Sequence, residues 1–275
     1  MTATTSSTDH GSAGSGSSSL FGRALVLGFG LFAYAVFFGT FLYMIGFVGG
    51  WVVPKGIDDG ASGSLWLAIA VNTALVALFG LQHEVMARPG FKAFITRFIP
   101  KAIERSTFVL LTSLVLLLIF WQWRPIGGGL WNVAGPAAWG FHTLTAIGWL
   151  MVLGSTFIIN HFDLFGLRQV ASYAAGKEYT AVGFKLRWMY KLCRHPIMLG
   201  FIIAFWATPV MTHGHLLFAG LFTLQILIGV RFEEKDLIEA HGDDYLEYKK
   251  QVRGIVPLPK KNPGVIAPAA AEPLA

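Results

Sequence analysis

Charge and cysteine are both scarce in this sequence. Only 13% of its 275 residues are Asp, Glu, Lys or Arg, against 54% that are hydrophobic, and the mean hydropathy is +0.58. Soluble domains carry about a quarter charged residues, so a soluble globular protein is excluded. The single cysteine, Cys193, excludes an intramolecular disulfide and any site built on several thiolates. A cleavable leader is not recognisable either. Residues 1–19 are rich in Ser, Thr and Gly and lack a basic n-region and a small-residue cleavage site, so they read as a disordered tail before an uncleaved span. The Pro- and Ala-rich residues 262–275 read as a second tail, leaving 20–261 as one membrane domain. No internal repeat is found, which argues against the duplicated halves of a transporter.

What the sequence does have is long apolar runs. A bilayer-spanning helix needs about 20 mostly apolar residues. Residues 24–48, 65–81, 107–123 and 139–160 come near that length without an internal Asp, Glu, Lys or Arg. Two shorter runs, 199–211 and 216–230, flank Thr212-His213-Gly214-His215, which reads as the turn of a helical hairpin. The expected fold is therefore all-α: a polytopic membrane helix bundle of four long spans plus a short hairpin, five to six transmembrane helices in all. The stretch RFEEKDLIEAHGDDYLEYKKQV then reads as a cytoplasmic amphipathic helix, broken near Gly242 and able to fold back under the bundle.

Lys and Arg collect on cytoplasmic loops. One precedes the first span, one lies in the next loop (Lys55), five run from Arg88 to Arg105, and one is Arg124. Six then run from Arg168 to Arg194, none lie in the hairpin turn, and seven run from Arg231 to Lys261. Basic segments alternate with poor ones. The expected arrangement is a multi-pass integral membrane protein with both termini in the cytoplasm. The net charge of +6 is accounted for by topology and anionic lipid, so no nucleic-acid partner is needed. Nothing calls for an obligatory protein partner.

Ionisable groups near hydrocarbon are costly and therefore informative. Gln82-His83-Glu84 ends the second span and Asn160-His161-Phe162-Asp163 the fourth, while Arg194-His195-Pro196 opens the hairpin and Arg231-Phe232-Glu233-Glu234 leaves it. All four fall at one expected depth on the cytoplasmic side. Singly, each has a plain structural reading: lipid anchoring for Arg194, snorkelling for His83 and His161, a solvated helix face for Glu233 and Glu234, close packing for Gly200. Their coincidence at four helix ends points to a site. Neighbours on a helix point about 100° apart, so one of Glu233 and Glu234 faces the pocket and the other pairs with Arg or Lys. A metal site is not expected, because His213 and His215 form an isolated pair.

The order R-H-P-x-x-x-G, an apolar hairpin, R-F-E-E-x-D-L and H-G-x-x-Y-x-x-Y, covering 190–257, resembles the isoprenylcysteine carboxyl methyltransferase and phospholipid methyltransferase superfamily of membrane enzymes. QHEVMARPGFK at 82–92, NHFDLFGLRQV at 160–170 and FWATPVMTHGHLLFA at 205–219 narrow the likeness to the bacterial methanethiol S-methyltransferases. The resemblance implies S-adenosyl-L-methionine as methyl donor and a cofactor half at about 188–257. On that half it marks Tyr190, Arg194, His195, Pro196, Met198, Leu199, Gly200, Glu233 and Glu234 as cofactor-binding. It also implies a small thiol as acceptor, with Gln82, Asn160 and Trp206 on the substrate side. Met198 departs from the superfamily pattern, which has tyrosine there.

The residue types suit this chemistry. A cofactor carboxylate fits Arg194 and His195, and ribose hydroxyls fit Glu233 or Glu234. A sulfonium asks only for aromatic faces, for which Trp188, Tyr190 and Trp206 are candidates. A thiol needs a base to ionise near neutrality, and His161 oriented by Asp163, or His83, is the expected catalytic group. The alternatives are methylation of an isoprenylcysteine carboxylate or a phospholipid amine, and a non-enzymatic small-molecule transporter. The transporter reading predicts polar residues mid-span, where this chain is nearly uncharged; Asn72 and Gln225 are the main exceptions, and hydrogen bonding between helices accounts for them.

A reporter fused after Lys261 is expected to read as cytoplasmic and one inserted at Gly60 as external. Finding both on one side overturns the assigned orientation.

Overall fold

The structure is a computed structural model that describes residues 19–61, 63–181 and 188–257. The stretches expected to be tails, 1–18 and 262–275, lie outside the described residues. Ser19, assigned above to the tail, belongs to the fold: its hydroxyl accepts from the Gly22 N–H at 3.1 Å and caps the first helix.

Helix α1 (Leu20–Gly49) runs the length of the bundle and stops at Gly50, whose left-handed φ of 69° turns its N–H back to the Gly46 carbonyl. Helix α2 (Leu65–Ala87) ends at Arg88, because Pro89 disfavours a helical residue before it. The short α3 (Pro89–Ile95) leads into α4 (Glu104–Gln122). A strand β1 (Gly129–Asn132) precedes α5 (Pro136–Ile159), which begins with proline where its missing N–H costs no bond. Two short helices, α6 (His161–Leu164) and α7 (Leu167–Ala174), follow. Then come α8 (Pro196–Trp206), strand β2 (Val210–Thr212) and the long α9 (His213–Gln251).

Helices α1, α2, α4, α5 and α9 are long and apolar enough to cross a membrane. The four expected spans are all present. The expected turn at Thr212-His213-Gly214-His215 is not. Thr212 instead caps α9, its hydroxyl accepting from the His215 N–H at 3.0 Å, so the histidines open a helix. The chain reverses earlier, through an extended segment whose strand β2 pairs antiparallel with β1. The all-α bundle thus carries one two-stranded ribbon. The expected second leg and amphipathic helix are a single element, broken at Gly242 (φ 53°, ψ −128°) as its sequence indicated.

At 11 residues α8 rises about 16 Å, roughly half of a hydrocarbon core of about 30 Å. A helix that stops there frees carbonyls that lipid cannot satisfy. The protein satisfies them. His215 Nε2 lies 2.8 Å from the Phe205 oxygen, Thr145 donates to Ala207, Trp131 Nε1 donates to Thr208 at 3.0 Å, and the Val133 N–H reaches Pro209 at 2.8 Å.

Packing of α8 on α5 is the tightest helix contact, because both present glycine. A Cβ on Gly200 would lie 2.7 Å from the Gly148 carbonyl oxygen, and one on Gly148 2.7 Å from the Ala204 nitrogen. Phe41, Phe47, Phe120, Trp149, Phe205 and Phe218 fill the core beside this seam. Gly200→Ala is expected to lower stability by about 1–3 kcal/mol, as overpacking does. Gly148→Ala, touching the same contact from the other helix, should match it in thermal melts of detergent-solubilised protein. A loss confined to Gly200→Ala would count against the seam as the cause.

Candidate active site

The segment before α8 is held against the folded-back end of α9. The Arg194 N–H reaches the Arg253 and Gly254 carbonyls, each at 2.9 Å, the His195 N–H reaches Gly254 at 3.1 Å, and the Tyr248 hydroxyl donates to the Tyr190 carbonyl at 2.6 Å. Inside this clasp lies the Glu234 carboxylate. Arg194 Nε donates to Glu234 Oε1 at 2.9 Å and its Nη2 donates to the same oxygen. Lys249 Nζ sits 2.7 Å from Oε2 and His195 Nε2 3.2 Å from Oε1. The remaining Arg194 nitrogen donates to the carbonyls of Val252 and Lys249. Arg194 and Glu234 side chains are 8% and 11% exposed, so the pair is nearly dry and needs this many partners.

His195 bridges the two acids, its Nδ1 lying 3.3 Å from Glu233 Oε2. Donating from both ring nitrogens requires the imidazolium. Burial opposes that charge, but hydrogen bonds and charge from Glu233, then Glu234, outweigh it and raise the His195 pKa above the ordinary histidine value. Burial also pushes the Cys193 thiol up, so this cysteine stays protonated and unreactive.

Beside the clasp opens a groove of 470 Å³ lined by Arg194, Arg231, Lys249 and Arg253, by Glu234, and by Leu227, Val230, Ile255 and Val256. Four cations and four aliphatic side chains in one lining suit a ligand with a carboxylate and a flat apolar ring. The expected duties within the set shift accordingly. Arg194 and Glu234 spend their hydrogen bonds on each other and on the backbone, and so build the wall. Glu233, with its side chain 49% exposed, is the acid that faces outward. Among the described residues no three His, Cys, Asp or Glu side chains gather to hold a metal ion.

A second polar cluster surrounds His161, buried at 3% exposure. Its Nε2 is 2.8 Å from the Tyr34 hydroxyl and its Nδ1 2.8 Å from Thr156 Oγ1. Phe157 stacks on the ring at 4.2 Å between centroids, with an interplanar angle of 5°. Burial lowers the His161 pKa, keeping the ring neutral near pH 7. Asp163 does not orient it, contrary to expectation. The Asp163 carboxylate takes Arg168 at 3.0 Å and the Tyr179 hydroxyl at 2.8 Å. Residues two apart on a helical turn point about 200° apart, so the two side chains diverge. Asn160 caps α6, accepting from the Asp163 N–H at 3.3 Å.

The two clusters occupy one end of the bundle. Gly200 packs on Gly148 and Val152, and Met189 Sδ lies 4.0 Å from Ser155 Oγ, which sets the start of α8 level with the end of α5. Pro196 is buried at the first turn of α8, with Met198 and Leu199 half-buried beside it. Two expected members lie elsewhere. Gly200 faces the α5 seam, and Trp206 stands at the far end of α8, donating to Thr223 at 2.9 Å. His83 packs between Phe79 and Phe108, and Gln82 reaches Thr112 at 3.3 Å. Several participants escaped the sequence reading, Arg253 of the groove among them. Tyr34 and Thr156 are single hydroxyls inside apolar spans, and Lys249 is one cation among many, so no local pattern marks them.

No family model and no solved structure matches the chain. Curated relatives do. The chain is 54% identical over 230 residues to methanethiol S-methyltransferase 1 of Bradyrhizobium diazoefficiens, covering 83% of this chain and 81% of that one. It is 49% identical over 244 residues to methanethiol S-methyltransferase of Mycobacterium tuberculosis, covering 87% of this chain and 99% of the relative. A more distant relative is nurim of Xenopus laevis, 28% identical over 75% of this chain and 80% of that protein.

The bridging histidine makes stability depend on pH. With its folded pKa raised, His195 contributes stability in full below the unfolded value of about 6.5 and loses it as pH rises through the folded value. The thermal advantage of the parent over His195→Gln is therefore expected to be largest in mild acid and to shrink toward alkaline pH. An advantage that grows with pH would reverse the assignment.

Proposed function

Because the chain belongs to the methanethiol S-methyltransferase family, we propose that it transfers a methyl group from S-adenosyl-L-methionine to methanethiol, giving dimethyl sulfide, at the basic end of the bundle, facing the cytoplasm. The observation that carries this reading is identity of about half over more than four fifths of the chain to proteins named for that reaction. The groove beside the clasp supports it. Arg231, Lys249 and Arg253 offer cations to a carboxylate, and Leu227, Val230, Ile255 and Val256 offer an apolar wall to adenine. Glu233, paired with His195 at the clasp, offers its exposed carboxylate to ribose hydroxyls. Arg194, His195 and Glu234 hold that wall in place. Tyr190, tied into the clasp through its carbonyl, and Met198 and Leu199 on the first turn of α8 lie on the same stretch of chain as Arg194 and His195.

Bound there, the cofactor would supply an electrophilic methyl group to a thiolate approaching opposite its sulfonium sulfur, with S-adenosylhomocysteine as the leaving group. What the chain must add is an oriented, dehydrated thiolate. Alkyl thiols are weaker acids than a cysteine of pKa about 8.5, so a neutral base raises the reactive fraction. His161, neutral at the adjacent helix end, is that base in this reading, and Thr156 takes the orienting part once given to Asp163.

Membranes bearing the protein are expected to move label from methyl-labelled S-adenosyl-L-methionine into volatile dimethyl sulfide when methanethiol is supplied. Hydrogen sulfide, longer thiols and prenylcysteine serve as competing acceptors. Label recovered only in lipid-soluble product would replace the small thiol with a lipidic acceptor. Arg253→Ala should weaken S-adenosylhomocysteine by about 1.5 kcal/mol, roughly tenfold, with melting unchanged. Arg194→Ala should lose stability and binding together.

A further inference from the structure

Resting on the reading of this protein as a thiol methyltransferase, we propose that the group meeting the thiol is the hydroxyl of Tyr34 on α1, which takes the thiol proton while passing its own to His161. The hydrogens around His161 can be placed one by one. The Thr156 hydroxyl donates its only proton to the Leu153 carbonyl at 2.7 Å. Toward His161 Nδ1, 2.8 Å away, Thr156 can therefore only accept, so Nδ1 carries a hydrogen. In the neutral ring Nε2 is then a bare lone pair, and the Tyr34 hydroxyl, 2.8 Å from it, is the donor. Both ring nitrogens are engaged.

The ring is also walled in. Phe157 covers one face at 4.2 Å, Phe165 and Phe162 present their edges at 4.9 and 5.4 Å, and 3% of His161 is exposed. A thiol cannot reach a ring nitrogen without displacing Tyr34. Tyr34 itself is half-buried, and its phenolic oxygen still has acceptor capacity after donating to His161. Around it stand Phe37, Phe38 and Phe165, with ring centroids 6.0–6.4 Å away. Such surroundings accept a small apolar thiol and strip water from the thiolate formed.

The step balances. The S–H bond breaks and its proton bonds to the Tyr34 oxygen, while the original Tyr34 O–H bond breaks and that proton bonds to His161 Nε2. The thiolate keeps the electron pair that forms the new S–C bond, while the donor's methyl–sulfonium bond would break and leave its electron pair on the sulfur of departing S-adenosylhomocysteine. His161 becomes an imidazolium that still donates from Nδ1 to Thr156, and the Phe157 face beside it favours the cation. Tyr34 ends as a neutral phenol, ready for the next turnover once His161 releases its proton. The competing account is a clamp that merely pins α1 to the end of α5.

The test compares the full chain with Tyr34→Phe, which keeps the ring and removes the hydroxyl. Expected is a fall in kcat for methanethiol of roughly 10²-fold, with S-adenosylhomocysteine affinity and melting temperature unchanged. The deficit should shrink as pH rises and shrink again with trifluoroethanethiol, a stronger acid already partly ionised at neutrality. Adding His161→Ala to Tyr34→Phe should cost little more. Thr156→Val, which removes only the acceptor on Nδ1, should give the same pH- and thiol-dependent signature at smaller size, and it carries the test if Tyr34→Phe fails to fold. An equal deficit for every thiol at every pH with a lowered melting temperature means the clamp, and an unaltered rate means the thiol is met elsewhere. Either overturns the proposal. A parent protein that binds S-adenosylhomocysteine but methylates no thiol overturns the underlying reading instead.

Discussion

Glu234 accepts from Arg194, His195 and Lys249, three cations drawn from the loop before α8, the start of that helix and the returning end of α9. A carboxylate so little exposed is tolerable only when both of its oxygens are matched, and removing one partner of a buried pair typically costs about 3–5 kcal/mol. That requirement fixes three segments relative to one another. It also explains why Gly242 must break α9. Residues 234 and 249 would stand more than 20 Å apart along a straight helix, and only a reversal brings Lys249 within 2.7 Å of the acid. The basic groove is the outer surface of this ion cluster, and its shape follows from the cluster's demands.

The opposite end of the bundle is organised by backbone. Because α8 stops after 11 residues, its loose carbonyls are met by His215, Thr145 and Trp131, and the ribbon of β1 and β2 completes the closure. Those polar side chains, seen alone, look like a second candidate site. Each is committed to a backbone partner. At this end hydrogen bonds to backbone carbonyls, His215 among their donors, hold the structure together, whereas at the other end ion pairs do.

Hydropathy made four of the membrane helices legible because a long apolar stretch has few alternatives in lipid. The break at Gly242 was legible for a similar reason, since glycine interrupts an otherwise helical pattern there. Thr212-His213-Gly214-His215 misled because a polar run containing glycine suits a turn and a helix cap equally, and only the position of β1 decides between them. At the site, the pairing of one glutamate with arginine followed from helical angles. Gly200 and Trp206 do not face Arg194, because Gly200 turns to the α5 seam and Trp206 stands about 15 Å along the helix from Pro196. Lys249 could not be found in advance, since its place depends on the reversal. Tyr34 lies 127 residues from His161, and nothing in either neighbourhood announces the other.

The reversal at Gly242 also sets an order of events during synthesis. Arg194 leaves the ribosome 40 residues before Glu234, and Lys249 follows 15 residues after that acid. At roughly 5–20 residues per second, Arg194 waits about 2–8 s for its carboxylate. Through that interval the spanning helices α1, α2, α4 and α5 are already made, and the guanidinium has no carboxylate of the cluster to meet. The ion cluster therefore closes last, on a finished membrane scaffold, and a chain released early would be inserted, helical and without a groove.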